Sequence, residues 1–159
     1  MSDSDLAPEF MLENQLCFAV HAAAHAFAQA YKPLLEPLGL TYSQYLVMLL
    51  LWEKDGRSVG ELGAPLFLDS GTLTPLLKRL QAAGYVVRAR DPKDERVTRI
   101  TLTPAGRDLR RRAQGVPGQI FCAMDIDLGQ LVSLRGEVNQ LASALRRSGR
   151  EDQRALDAP

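Results

Sequence analysis

The sequence predicts a mainly α-helical chain with one β-hairpin inserted after its fourth helix. Three observations carry this. Thr41 with Gln44, and Ser58 with Glu61, are capping boxes that open helices. Leu73, Leu76, Leu77 and Leu80 form a stripe at helical spacing. "YVVRARDPKDERVTRITLT" places two β-rich runs around a polar Asp-Pro-Lys-Asp turn, a hairpin with a loop longer than two residues.

In order along the chain, Pro8 suits a first helical turn, and the Ala-, Leu- and Phe-rich stretch to about Tyr31 reads as one long helix broken by "KPLLEPLGL". Thr41 opens a strongly apolar second helix, "YLVMLLLW", which ends at "KDG". Ser58 opens a short third helix ending near Phe67, and Asp69 and Ser70 offer caps for a fourth, "TLTPLLKRLQAAG", stopped by Gly84. After the hairpin, Thr103 and Pro104 form a cap and first-turn pair for a fifth helix, which "GVPGQ" interrupts or kinks. Leu128, Leu131, Leu134, Val138, Leu141 and Leu145 mark a last amphipathic helix, and the charged tail after Ser148 is expected to fray.

At 159 residues the chain suits one domain, here 8–148, with 1–7 and 149–159 as flexible tails. Its 19 basic and 19 acidic residues balance, yet from Lys78 to Arg112 eleven Lys or Arg stand against four Asp or Glu. That local excess of +7 is a segregated charge. The start lacks a basic n-region followed by an apolar h-region, and no apolar run reaches the roughly 18 residues of a membrane span, so a cytoplasmic protein without membrane association is expected. Cys17 and Cys122 lie far apart with no CxxC, which fits neither a zinc knuckle nor a disulfide-stapled scaffold. No metal or cofactor is expected.

A short helix, a tight turn, a second helix and a basic hairpin make a winged helix-turn-helix, spanning 41–102. The leucine stripe of the fourth helix must face the core, leaving Ser70, Gly71, Thr72, Thr74, Pro75, Lys78 and Arg79 for base edges and phosphates. Pro75 lacks an N–H, so this helix is expected to begin near Thr72 or kink at the proline. The hairpin carries Arg88, Arg90, Lys93, Arg96 and Arg99 on or beside a protruding wing, where Asp94 is close enough in sequence to orient the Arg96 guanidinium. Double-stranded DNA is the expected partner.

"DSGTLTPLLKRLQAAGYVVRARDPKDERVTRITLTPAG" resembles the MarR family of transcriptional regulators, whose wing carries an Asp-x-Arg followed by Leu-Thr and Gly, here Asp94, Arg96, Leu102, Thr103 and Gly106. The resemblance implies a homodimer built by the first and last helices, 8–36 and 104–148, on a palindromic operator. "NQLCFAV", "AYKPLLEPLGLTYSQYLVMLLLWE" and "LFLDSGTLTPLLKRL" further resemble the organic hydroperoxide resistance regulators (OhrR) within it, from about Glu13 to Ala113. That subfamily implies a peroxide-sensing cysteine at Cys17, phenolic partners at Tyr31 and Tyr42, and in its two-cysteine members a resolving cysteine where Cys122 stands, in a bridge between subunits.

A sensor thiol needs thiolate character, access for the oxidant and donors for the charged sulfur. Tyr31 follows Cys17 by fourteen positions, so on one straight helix the two stand roughly 21 Å apart at 1.5 Å per residue. Two first helices crossing antiparallel would bring Tyr31 of one chain to Cys17 of the other. Leu16, Phe18, Val20 and Phe27 make an apolar surround that disfavours the thiolate but favours an alkyl or fatty-acid hydroperoxide over hydrogen peroxide. The expected function is therefore a repressor, not an enzyme, in which Cys17 is oxidised, Cys122 resolves it as a disulfide, and DNA is released. Other readings stay open. Cys17, His21 and His25 share a helical face, though three ligands on consecutive turns span about 12 Å and would need others to complete a metal site. A phenolic ligand in an apolar pocket is a second alternative, and a thiol peroxidase a third, for which the wing has no role.

Overall fold

The computed structural model describes residues 7–156, with side chains through residue 149. The chain divides into two compact units, one up to Ile120 and one from Phe121 onward.

The first unit starts differently from the single long helix expected. Two 3₁₀ turns, Pro8–Phe10 and Leu12–Asn14, precede helix α1, Leu16–Leu35. Side chains compete with the helical ladder here: the Asn14 amide donates to the Pro8 carbonyl (2.8 Å), and Gln15 donates to the carbonyls of Glu9 and Met11. At the other end α1 runs through Pro33 instead of breaking at it. The proline removes one ladder bond, but Leu35 and Leu38 just beyond it are buried in the core, and the turn falls at Gly39 with φ +68°.

Both capping boxes form as expected. The Thr41 N–H donates to Gln44 Oε1 at 2.8 Å to start α2, Tyr42–Glu53, and the Ser58 N–H donates to Glu61 Oε2 at 2.7 Å to start α3, Val59–Leu66. A two-residue strand β1, Arg57–Ser58, lies between them; it is too short to show an alternation and was not expected. Helix α4, Ser70–Ala82, leads to β2, Val86–Arg90, and β3, Thr98–Leu102. The antiparallel sheet has the order β1-β3-β2, with Arg57 opposite Ile100 and Val86 opposite Leu102. Tyr45, Met48 and Leu51 of α2, Leu62 of α3, the α4 leucines, Val86 and Ile100 form one apolar core beneath the helix-turn-helix.

Helix α5, Pro104–Arg112, begins with the Gly106 N–H donating to Thr103 Oγ1 (3.0 Å). Gly106 has a steric reason to be glycine. A Cβ there would stand 2.1 Å from the Tyr85 carbonyl oxygen, and the Trp52 indole N–H already donates to the Gly106 carbonyl (2.9 Å). The expected interruption follows, and α6, Val116–Ala123, resumes beyond it with Val116 and Ile120 buried.

The second unit consists mainly of α7, Leu128–Leu156, opened by a reciprocal pair in which Gln130 N–H donates to Asp127 Oδ1 and Asp127 N–H to Gln130 Oε1, each at 2.9 Å. Its backbone stays helical to Leu156 instead of fraying after Ser148, since the charged segment holds mainly good helix formers and no proline. Residues 1–6 and 157–159 of the expected tails lie outside the described residues. Leu128, Val132, Leu134, Val138 and Leu145 of α7 are exposed. So are Leu16, Phe18, Val20 and Phe27 of α1, where only Leu35 is buried. Among the described residues no single helix is long and apolar enough to cross a membrane.

Candidate nucleic-acid interface and thiol site

The N-terminus of α4 is fixed by Asp69, whose Oδ1 accepts the Thr72 N–H at 2.8 Å; that bond holds the carboxyl below its ordinary range. The helix begins at Ser70, two residues ahead of the expected start, and continues past Pro75. The missing N–H costs one ladder bond, and Pro75 itself lies on the exposed outer face of the helix. With Leu73, Leu76, Leu77 and Leu80 sealed in the core, Ser70, Thr72, Pro75, Lys78 and Arg79 are exposed and Thr74 is half-buried. The face assigned to DNA is bare.

The wing differs in three ways from its expected form. Asp94 orients the backbone of Arg96, not its guanidinium: Oδ1 accepts the Arg96 N–H at 3.0 Å, and no ion pair joins the two side chains among the described residues. Arg90 braces the loop by donating from Nη1 to the Glu95 carbonyl (3.0 Å). Arg99 turns inward, its Nε donating to Asp91 Oδ2 at 2.6 Å and its Nη1 to Glu61 Oε2 and the Gly56 carbonyl, each at 3.2 Å. Arg88 is half-buried, with an Nε that has no partner, while Lys93 and Arg96 are exposed.

Asp91 and Glu61 were missed as wing residues. Asp91 Oδ1 accepts the Lys93 N–H (2.8 Å), which together with Arg99 lowers its pKa. Glu61 is lowered chiefly by the Ser58 amide of its capping box, with Arg99 a smaller contributor. The same carboxylates raise Arg99, Asp91 most of all. A continuous set of bonds thus runs from the start of α3 through β3 to the wing loop. Only the capping box was visible in sequence, because no local pattern announces a partner thirty-eight residues away.

The thiol site is divided. Cys17 is exposed in the first turn of α1, and Tyr31 lies on the same unbroken helix, so roughly 21 Å of axial rise separates them. Tyr31 and Tyr42 do come together, with ring centroids 4.8 Å apart, and Tyr45 stands 5.7 Å from Tyr31. Burial, then the neighbouring Tyr42 and Tyr45, push the Tyr31 phenol up to about 12. Tyr42 also lines a cleft of about 530 Å³ with Ala28, Lys32, Leu35 and Leu40. Phe18 is exposed beside Cys17, and Cys122 is exposed in the last turn of α6. His21 and His25 are exposed on α1, and no group of three metal-ligating side chains assembles among the described residues.

A profile of the transcriptional regulators SarA/Rot matches residues 29–112, from the second half of α1 to the end of α5. The HTH-type transcriptional regulator TtmR of Methylorubrum extorquens is 52% identical over 84% of this chain and 72% of its own length. The organic hydroperoxide resistance transcriptional regulator of Bacillus subtilis is 45% identical over 84% of this chain and 86% of its own. Among solved structures, reduced AbfR bound to DNA, a protein of Staphylococcus epidermidis, is 37% identical and superimposes with a TM-score of 0.72 over 84% of this chain and 94% of that one. The disulfide form of AbfR, with the same identity, superimposes at 0.60 over 86% and 90%. By fold, by profile and by these relatives, the chain belongs to the SarA/Rot and MarR-like winged-helix family of DNA-binding transcriptional regulators.

Proposed function

We propose that this protein is a redox-sensing repressor of the organic hydroperoxide resistance type, a homodimer that holds a palindromic operator while Cys17 is reduced. The observation that carries the reading is the division of the thiol site. Cys17 and the Tyr31–Tyr42 pair lie far apart in one chain, on a helix whose apolar residues face solvent, so a second α1 crossing the first completes the site and covers that face. The name and 45% identity of the Bacillus subtilis relative support it.

In the proposed chemistry, the Cys17 thiolate attacks the terminal oxygen of an organic hydroperoxide, forming an S–O bond, breaking O–O and leaving the alcohol. The Cys122 thiolate then attacks the sulfenic sulfur, forming the S–S bond and breaking S–O, and the hydroxide that leaves takes a proton from solvent to become water. The two sulfurs must close to about 2 Å, and the accompanying helix movement re-spaces the two α4 helices on DNA. The thiol is consumed once per event, so the protein senses without turning over as an enzyme. On this reading it works in the cytoplasm, where thiols rest reduced.

The test is a non-reducing gel beside an operator-binding assay after stoichiometric cumene hydroperoxide, with wild type, Cys17→Ser and Cys122→Ser. A covalent dimer that needs both cysteines, with release that needs Cys17, is expected. Release from Cys17→Ser on oxidation sinks the proposal. Release by a phenol or a chelator without oxidant would instead support ligand or metal sensing.

A further inference from the structure

Helices α1 and α2 bring together three of the chain's four tyrosines, of which Tyr31 and Tyr42 are the closest pair. The Tyr31 and Tyr42 rings lie 4.8 Å apart between centroids with planes tilted by 40°. The step to Tyr45 is longer, 5.7 Å, and Tyr45 is buried to 2% exposure. Tyr85 is held elsewhere, its hydroxyl donating to the Leu38 carbonyl at 3.0 Å. Tyr31 and Tyr42 are half-buried, and Tyr42 lines the open cleft of about 530 Å³, wide enough to admit a small oxidant to the ring. Neither hydroxyl has a hydrogen-bond partner among the described residues. The high pKa of Tyr31 keeps its phenol protonated at working pH, so it reacts by giving up a hydrogen atom.

We propose that Tyr31 and Tyr42 are a one-electron oxidation site that couples to dityrosine and ties α1 covalently to α2. The oxidant is an alkoxyl radical, which forms when ferrous iron reduces an organic hydroperoxide and hydroxide leaves. Two alkoxyl radicals each take a hydrogen atom from one phenol, giving two alcohol molecules and two phenoxyl radicals. The radicals join through their ortho carbons, and the two displaced ring hydrogens return to the oxygens. The product has lost two hydrogens, retains both hydroxyls and contains a C–C bond that no thiol reduces. Cys17 answers the intact hydroperoxide by two-electron chemistry, whereas this pair answers its radical fragment and keeps a permanent record. The inference stands apart from the thiol reading, because neither cysteine takes part.

The experiment uses the full chain with Cys17→Ser and Cys122→Ser, treated with tert-butyl hydroperoxide and ferrous iron. Expected are dityrosine fluorescence in the monomer band of a denaturing gel and a peptide lighter by two hydrogens, with no backbone fragments between residues 31 and 42. Adding Tyr31→Phe or Tyr42→Phe abolishes both signals, and adding Tyr45→Phe leaves them. Operator binding before treatment reports that each variant is folded. Fluorescence that survives Tyr31→Phe or Tyr42→Phe, that requires Tyr45, that is confined to covalent dimers or that never develops overturns the assignment.

Discussion

The Asp91 carboxylate is a joint: one oxygen holds the loop amide of Lys93 and the other holds Arg99 of the strand below. Replacing it by Asn removes the charge but leaves the size, so Asp91→Asn should weaken operator binding several-fold while thermal unfolding changes little. Unchanged binding in a gel-shift assay would show that the wing positions itself without the joint. Because the folded carboxyl sits below its ordinary 3.8, its stabilising contribution is complete above that pH and is lost only as pH falls through the lowered value. The joint is therefore intact across the neutral range. Tyr31 behaves oppositely. Its folded phenol titrates at about 12 against an ordinary 10.0, so the stability it contributes is present below pH 10 and disappears as pH rises toward 12. Phenolate absorbance of wild type against Tyr31→Phe should show the missing group titrating last. Residue-level errors in the sequence reading share one cause. Arg99 was placed with the DNA-facing cations because its charge is visible in sequence, whereas the carboxylates that draw it inward are brought near only by folding.

At the scale of elements, what local chemistry dictates was legible and what tertiary contact dictates was not. Thr41, Ser58, Asp69 and Thr103 each cap the helix expected of them. Pro33, read as a break, and Pro75, read as forcing a start near Thr72 or a kink, lie inside helices because buried leucines on the following turns outweigh one lost backbone bond. Strand β1 owes its existence to β3, a contact with no local signature. Gly106 tests how tightly α5 is seated. Gly106→Ala should destabilise the fold by about 1–3 kcal/mol, the usual range for overpacking, read from the denaturant midpoint. An unshifted midpoint would mean that α5 moves off the Tyr85 backbone freely. Helix α1 makes the opposite prediction. Phe27 lies on its exposed face, so Phe27→Asp should leave the unfolding of an isolated chain almost unchanged. In the proposed dimer it should weaken association by roughly tenfold or more, since burying such a side chain contributes about 1.5–3 kcal/mol. Sedimentation velocity across concentration separates the two effects.

Over the whole molecule, the balanced net charge conceals a +7 segment, Lys78 to Arg112, that takes in the end of α4 and the whole wing. Binding through that segment should weaken with salt, and each phosphate contact removed should reduce the slope of log affinity against log salt by about 0.9. Lys78→Ala and Lys93→Ala each remove an exposed cation, and Arg96→Ala should lower affinity most if the wing enters the minor groove. A slope unchanged by all three would place the phosphate contacts elsewhere. The proposed DNA-contacting residues could be assigned from sequence because they are nearly consecutive in it. The proposed thiol site could be assigned only through resemblance, because one continuous helix keeps Cys17 and Tyr31 apart. That separation lets two defective chains repair each other under the proposed crossing. A Cys17→Ser chain still has its tyrosines, and a chain with Tyr31→Phe and Tyr42→Phe still has its cysteine. Each homodimer is deaf to hydroperoxide, but their heterodimer concentrates all the damage in one site and leaves the other whole, so mixing two silent proteins should restore half the sensors.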